Sequence, residues 1–175
     1  MELIQESKAS SPNGKVNRRP AALPGWTLVR ADADAIKVLW PSFIRPGLLR
    51  IKQKDKHSGQ WLPEHVRAAI DGGHLGRLFC ECHLIVPTAG TQPVGFVILR
   101  LYNDEFVQVP LTLFVWITYC TEPRAMRDVL RLIEKRAKEI GVRYVEGLTS
   151  RTAWLRRLRK FGYSAHQIII RKEIA

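Results

Sequence analysis

The chain has 175 residues, of which 46% are hydrophobic, and a formal net charge of +12 at pH 7. This size and composition predict one globular domain with a sizeable core and argue against two domains. The first residues lack the basic start and apolar stretch of a signal peptide, and no run of about 18 apolar residues predicts a membrane span. The three cysteines are an odd number without a disulfide-framework spacing, which favours a reducing, cytoplasmic location.

Most of the positive charge lies in the last third of the chain. Residues 123–175 hold 14 Lys and Arg against 5 Asp and Glu, a net of +9. A basic half of this kind indicates contact with a polyanion, such as nucleic acid, a phosphorylated cofactor or an acidic protein. The alternative is a highly charged helical surface that binds nothing.

Residues 1–24 are predicted to be a flexible, basic and polar arm, because residues 5–24 are rich in Ser, Pro, Asn and Gly and have no apolar period. Residues 25–175 then form the domain. Its first elements are a strand at 26–30 and a short helix that Asp32 or Asp34 caps and Pro41 ends. A second short helix or an extended segment follows around Leu48.

The middle of the domain is predicted to be three antiparallel strands after a helix at 62–70. Alternating residues at 78–84 indicate a half-buried strand, and 94–101 and 106–119 supply the other two. The next helix begins at Glu122-Pro123 and ends at Gly141. A strand at 142–148, a basic helix at 152–160 and a last strand at 166–174 complete an α/β fold, with a central mixed sheet flanked by helices.

This element order, with a helix that ends in Lys160-Phe161-Gly162-Tyr163, resembles the GNAT N-acyltransferase superfamily over residues 26–174. With the pattern Ser150-Arg151-x-x-Trp154 followed by Gly162-Tyr163, the chain resembles the divergent GNAT-like proteins of bacteriophages. The resemblance implies acetyl-CoA or another acyl-CoA as cofactor, without a metal. It also implies that the pantetheine arm lies where the strand before the long helix leaves its neighbour, with the pyrophosphate at the helix start. The residues that this assigns to the cofactor are Ile117, Thr118, Tyr119, Cys120, Arg124, Ala125 and Arg127.

Two departures from the GNAT pattern concern catalysis. The family's glycine-rich turn is replaced by Cys-Thr-Glu-Pro-Arg-Ala at 120–125, where Pro123 lacks an N–H and Glu122 would repel phosphate. Leu158 stands where many family members have the tyrosine that protonates the departing thiolate. Tyr119 and Tyr163 are the candidate substitutes, and Glu81 or Glu146 is the candidate general base.

Two further clusters have competing interpretations. Cys80-Glu81-Cys82-His83 has the composition of a metal site, but Cys80 and Cys82 share one strand face and are predicted to be core. Cys120 is likewise predicted to pack. Trp154 lies either on a stacking platform for nucleic acid or on the core stripe of its helix. The basic residues around it that would contact phosphate are Arg151, Arg156, Arg157, Arg159 and Lys160.

Two functions follow. The first is a GNAT-like N-acyltransferase that moves an acyl group from acyl-CoA to an amine on DNA or a basic protein. The second is a non-catalytic phage virion protein or nucleic-acid-binding protein on the same scaffold, present in the host cytoplasm and the virion. Neither involves a membrane.

Overall fold

The computed structural model describes residues 25–54, 61–76, 79–102, 112–147 and 152–165. The described strands form one five-stranded sheet in chain order: β1 (Trp26–Arg30), β2 (Cys80–Pro87), β3 (Gly95–Tyr102), β4 (Thr112–Cys120) and β5 (Tyr144–Gly147). Strands β1 to β4 are antiparallel, whereas β4 and β5 are parallel. The predicted mixed sheet is therefore confirmed.

Helices cover both faces of this sheet: α1 (Ala33–Leu39), α2 (Arg45–Lys54), α3 (Pro63–His74), α4 (Met126–Ile140) and α5 (Thr152–Arg159). Helices α1 to α3 pack on one face, where Phe96 and Ile117 belong to the core. Helix α4 packs on the other face, where its residues Val129 and Ile133 are buried and Trp154 of α5 joins them. The core interpretation of Trp154 is confirmed.

The first α-helix ends before Pro41, as predicted, since α1 stops at Leu39, but the chain stays helical beyond it. Asp32 caps α1, because the Ala35 N–H donates to its Oδ1 at 2.8 Å. A π-helical turn, Trp40–Ile44, then leads directly into α2. The wider turn accommodates the proline ring, which would clash with the preceding turn of a regular α-helix.

Helix α2 approaches the sheet closely at Gly47, which is buried. A Cβ at this position would lie 2.7 Å from the Phe96 ring and 2.9 Å from the Tyr119 ring. Only glycine therefore lets α2 contact β3 and β4 at this depth.

Strand β2 is buried on both faces, although alternation predicted a half-buried strand. Every residue from Cys80 to Val86 is buried, including Glu81 and His83. Cys80 and Cys82 contact the α1–α3 side, so their predicted core role is confirmed. The polar residues Glu81 and His83 can alternate with apolar ones on this buried strand because they pair with each other, and Glu81 also pairs with Arg136.

The long amphipathic helix is confirmed as α4, preceded by a 3₁₀ turn at Pro123–Ala125 and ended by Gly141 with φ +84°. Helix α3 extends through Gly72 and Gly73 to His74, beyond its predicted end. The predicted arm at 1–24, Ser150 and the strand at 166–174 lie outside the described residues. Within the described ranges, no helix combines the length and apolar character needed to cross a bilayer.

Candidate functional site

Strands β4 and β5 are paired along the first part of β4. Thr112 to Val115 pair with Tyr144 to Gly147, and among the described residues this parallel pairing stops there. Residues 116–120 continue as strand and stay paired with β3 on the other side. We call residues 116–120 the open segment, because no described residue pairs with them on the β5 side, and residues 148–151 lie outside the described ranges.

A β-bulge begins the open segment. Ile98 pairs with Ile117 and Leu99 pairs with Val115, so Trp116 is the extra residue of β4. Trp116 and Ile117 consequently both pack toward the α1–α3 side. The Arg100 guanidinium lies 4.8 Å from the centre of the Trp116 ring, which holds that ring in place. Bulges re-aim backbone groups, and they are frequent next to active sites.

The turn after the open segment has already used its backbone donors. Pro123 has no N–H, the Arg124 N–H donates to Glu122 Oε1 at 3.2 Å, and the Ala125 N–H donates to the Glu122 carbonyl at 3.1 Å. The Glu122 carboxylate thus occupies the place where a helix start would receive an anion. Contacts with a phosphate at this end are therefore left mainly to side chains.

Those side chains are basic and come from two helices. Arg124 and Arg127 are exposed at the start of α4. Arg157 of α5 reaches the same turn, where its Nη2 donates to the Pro123 carbonyl at 3.5 Å. The structure thus joins the predicted cofactor residues to the predicted nucleic-acid residues. The other exposed members of the latter set are Arg156, Arg159 and Lys160, and Arg151 lies outside the described residues.

Tyr119 lies on the open segment and faces α2. Its hydroxyl oxygen accepts a hydrogen bond from Arg50 Nη1 at 2.9 Å. Its ring contacts Phe96 at a centroid distance of 5.4 Å and Phe43 at 6.4 Å. Because the guanidinium can only donate, the Tyr119 proton remains available to another acceptor. No local pattern pointed to Arg50, which is 69 positions away from Tyr119 along the chain.

Glu81 is not brought together with Tyr119. It lies on β2 beneath α4, where it accepts from Arg136 Nη2 at 2.9 Å and pairs with His83 Nε2 at 2.9 Å. Burial alone would raise the pKa of Glu81, but the hydrogen bonds from His83 and Arg136 outweigh it and lower the pKa to about 2. A carboxylate held in this way is a poor general base. Glu146 is exposed on β5.

Tyr163 lies beside α4. Burial, with the nearby Glu134 carboxylate, raises its pKa to about 12. Leu158, at the position of the family's tyrosine, is half-buried. Of the two candidate tyrosines, only Tyr119 is on the open segment.

Three other predicted residues have packing roles. Ile117 and Ala125 are buried, so only their backbones line the opening. The Cys120 thiol donates to the Glu122 carbonyl at 3.1 Å, and burial raises its pKa, which disfavours the reactive thiolate. Thr118 is half-buried on the same segment.

Solved structures share this architecture. A possible acetyltransferase from Clostridium difficile 630 aligns with a TM-score of 0.63 and 7% identity, over 86% of this chain and 98% of that chain. A probable acetyltransferase gives 0.60 and 14%, over 85% and 97%. An aminoglycoside acetyltransferase from an uncultured soil metagenomic sample, in complex with sisomicin, gives 0.58 and 9%, over 86% and 96%. No protein-family model and no curated protein matches the chain. The described part of the chain therefore has the GNAT-like acetyltransferase fold.

Proposed function

We propose, with this fold as the premise, that the protein is an N-acyltransferase that uses acetyl-CoA or another acyl-CoA and acts on an amine. The observation that carries the proposal is Tyr119, whose hydroxyl Arg50 contacts on the last part of β4, directly before the turn that leads into α4. Acyl-CoA supplies an activated thioester, whose acyl group passes to the amine while the thiol leaves. The open backbone of residues 116–120 suits the amide groups of a pantetheine arm.

The residues of the open segment would contribute in two ways. Backbone N–H groups near the Trp116 bulge would stabilise negative charge on the reacting carbonyl oxygen, because fixed donors need no reorganisation. The Tyr119 hydroxyl would hold the proton for the leaving thiol, and Arg50 would orient it by donating to the same oxygen. Arg50 is thus a positioning residue.

The turn at the start of α4 suits the phosphate end of the cofactor less well than the backbone of residues 116–120 suits the pantetheine arm. Glu122 competes for the Arg124 N–H and adds a negative charge beside the turn. Arg124, Arg127 and Arg157 would hold the phosphates through their side chains instead. We infer a cofactor affinity that depends on these arginines and is limited by Glu122.

Acetyl-CoA binding tests this proposal. Calorimetry at low and moderate salt should show saturable binding by the wild type, and Arg124→Glu should weaken it about tenfold or more because a charge-assisted bond becomes a repulsion. Glu122→Gln, which keeps an accepting side-chain oxygen but removes the charge, should tighten binding about threefold to tenfold. Absence of binding by all three proteins at millimolar acetyl-CoA would overturn the acyl-CoA assignment.

The basic surface favours DNA over a basic protein as the source of the amine. Arg156, Arg159 and Lys160 are exposed on and after α5, next to the arginines of the α4 start. A phage DNA base is the acceptor that we infer, because such a surface would repel a basic protein and attract phosphates.

DNA binding provides a separate expected result. The Arg156→Gln/Arg159→Gln double variant should weaken binding of a fluorescent oligonucleotide and reduce the slope of log affinity against log salt by about two, since each phosphate contact releases about one counterion. Fluorescence anisotropy over a salt series measures both quantities. Lys37→Gln, which removes an exposed charge on α1, is the matched control and should leave them unchanged.

The second candidate is a non-catalytic nucleic-acid-binding or virion protein. The Glu122 cap favours it, because that cap obstructs the expected phosphate position. DNA binding that depends on Arg156 and Arg159, without acetyl-CoA binding by the wild type or by Glu122→Gln, would select this alternative.

A further inference from the structure

A row of basic side chains follows the outer face of α4. Arg127, Arg131, Lys135 and Lys138 are all exposed, and they are spaced four, four and three residues apart. Because an α-helix turns by about 100° per residue, these positions lie within about 80° of its circumference and extend about 16 Å along its axis. We call these four residues the α4 stripe. The opposite side of the helix is buried against the sheet.

Most of the α4 stripe has no carboxylate partner. Within the described ranges, Arg127, Arg131 and Lys138 form no ion pair. Lys135 lies 3.9 Å from Glu139, but 74% of the lysine side chain is exposed. An exposed pair of this kind is weak, so all four cations can contact an added polyanion.

The acidic residues of α4 leave the stripe positively charged. Glu139 also contacts Arg136, at 3.5 Å, and Glu134 lies beside the buried hydroxyl of Tyr163. Asp128 is half-buried in the first turn, where a negative charge stabilises the helix start. The exposed surface of the helix therefore favours a partner with repeated negative charges.

Helix α5 lies alongside α4 and adds its own cations to this surface. At the start of α4, Arg157 Nη2 donates to the Pro123 carbonyl at 3.5 Å. Near the middle of α4, Tyr163, which follows α5, lies beside Glu134. The exposed basic side chains of α5 are thus on the helix next to the stripe, and the two sets form one basic surface.

This surface and Tyr119 lie on opposite sides of the sheet. Tyr119 packs with α1 to α3, whereas α4 covers the other face. The stripe is on the outer side of α4, so at least the width of a helix, about 10 Å, separates it from the sheet. Nucleotides bound on the stripe are therefore different from a base that meets Tyr119.

We propose that the α4 stripe binds the phosphate backbone of the DNA that flanks the reacting base. Its length of about 16 Å corresponds to about five nucleotides of one strand in a duplex. Arginine and lysine side chains in such a row fix the position of the DNA without reading its sequence. The assignment of this DNA as flanking rests on the proposed acyl transfer to a base, whereas backbone binding rests on the stripe alone.

The Arg131→Gln/Lys138→Gln double variant tests the proposal. Fluorescence anisotropy with a DNA duplex of mixed sequence should show binding about tenfold weaker than in the wild type, and the slope of log affinity against log salt should fall by about two. Lys37→Gln/Lys54→Gln removes two exposed charges from α1 and α2 and is the matched control. It should leave both quantities nearly unchanged. Combination of the α4 variant with Arg156→Gln/Arg159→Gln should reduce the slope by about four, because the two helices contact different phosphates.

Acetyl-CoA calorimetry on the same proteins separates this proposal from the acyl-transfer proposal. Arg131→Gln/Lys138→Gln should bind acetyl-CoA as the wild type does, because neither residue belongs to the cofactor set. If the wild type binds no acetyl-CoA but the DNA results hold, the stripe is retained as a backbone-binding surface and acyl transfer is rejected.

Two results would overturn the assignment of the stripe. The first is an equal loss of DNA affinity in the α4 variant and in the Lys37→Gln/Lys54→Gln control, which would mean that only the total charge matters. The second is tighter binding of labelled polyglutamate than of the duplex, with the same dependence on Arg131 and Lys138, which would identify an acidic protein as the partner. Melting curves followed by circular dichroism establish that all variants remain folded.

Discussion

Replacing Glu81 by alanine should lower the free energy of unfolding by about 3–5 kcal/mol, the cost expected when one partner of a buried ion pair is removed. Glu81 is 2% exposed and joins Arg30, Arg136 and His83, which belong to β1, α4 and β2. Without the carboxylate, His83 Nε2 and the Nε and Nη2 groups of Arg136 would lose the partner that they have inside the protein. Urea denaturation followed by circular dichroism measures the change.

Glu139→Ala is the matched control for this substitution. Glu139 pairs with the same Arg136 at 3.5 Å, but its side chain is 48% exposed. Its removal should therefore cost less than about 1 kcal/mol, as is usual for a surface ion pair. Equal losses in the two variants would show that burial does not govern the strength of this cluster.

The same cluster predicts how stability depends on pH. The pKa of Glu81 is about 2 in the folded protein, below its ordinary value of 4.5. A carboxyl group whose pKa is depressed by folding stabilises the protein above its unfolded pKa and loses this contribution as the pH falls toward the folded pKa. The wild type should thus lose stability between pH 4.5 and about 2. Over that interval Glu81→Ala should lose less, which urea midpoints at several pH values would reveal.

Phe96→Ala should lower the free energy of unfolding by about 3–5 kcal/mol, because it removes a large side chain from the core and leaves a cavity. Phe96 is fully buried and contacts Phe43 edge-on, with ring centroids 6.1 Å apart, as well as Tyr119. The loss should also free the Tyr119 ring and weaken its contact with Arg50. Urea denaturation measures the first effect, and nuclear Overhauser contacts of the Tyr119 ring measure the second.

Val38→Ala provides the comparison for Phe96→Ala. Val38 is 70% exposed on α1, so its truncation should change stability by less than about 0.5 kcal/mol. A loss below about 1 kcal/mol in Phe96→Ala would contradict the packing described for this face, since core truncations of this size rarely cost so little.

Local patterns in the sequence were sufficient for the elements whose signals are local. The helical period and Gly141 identified α4, and the strand predicted at 106–119 overlaps β4. Pro41 marked the end of α1 correctly, but no local pattern indicated that a π turn continues from there into α2. The alternation at 80–83 was misleading. Its polar residues face an ion-pair cluster built from β1 and α4, and no local window contains those partners.

The candidate site was only partly predictable, for the same physical reason. The family resemblance directed attention to 117–127, and the structure places these residues on the last part of β4, in the turn after it and at the start of α4. Tyr119 was a candidate, but its partner Arg50 comes from α2, and only the packing of that helix on the sheet brings the two together. Glu81 was a candidate because of its position in a strand. Its buried pairing with Arg136 could not be predicted, because the two residues are 55 positions apart and meet only in the folded protein.

Gly47 also sets the distance between α2 and the sheet. Because α2 touches the Phe96 and Tyr119 rings where any Cβ would overlap them, the helix is as near to the sheet as its backbone permits. A larger residue would act as a spacer and lift α2, with Arg50, away from Tyr119. One position on α2 thus sets the spacing between the Arg50 guanidinium and the Tyr119 hydroxyl, although neither of those two residues is changed.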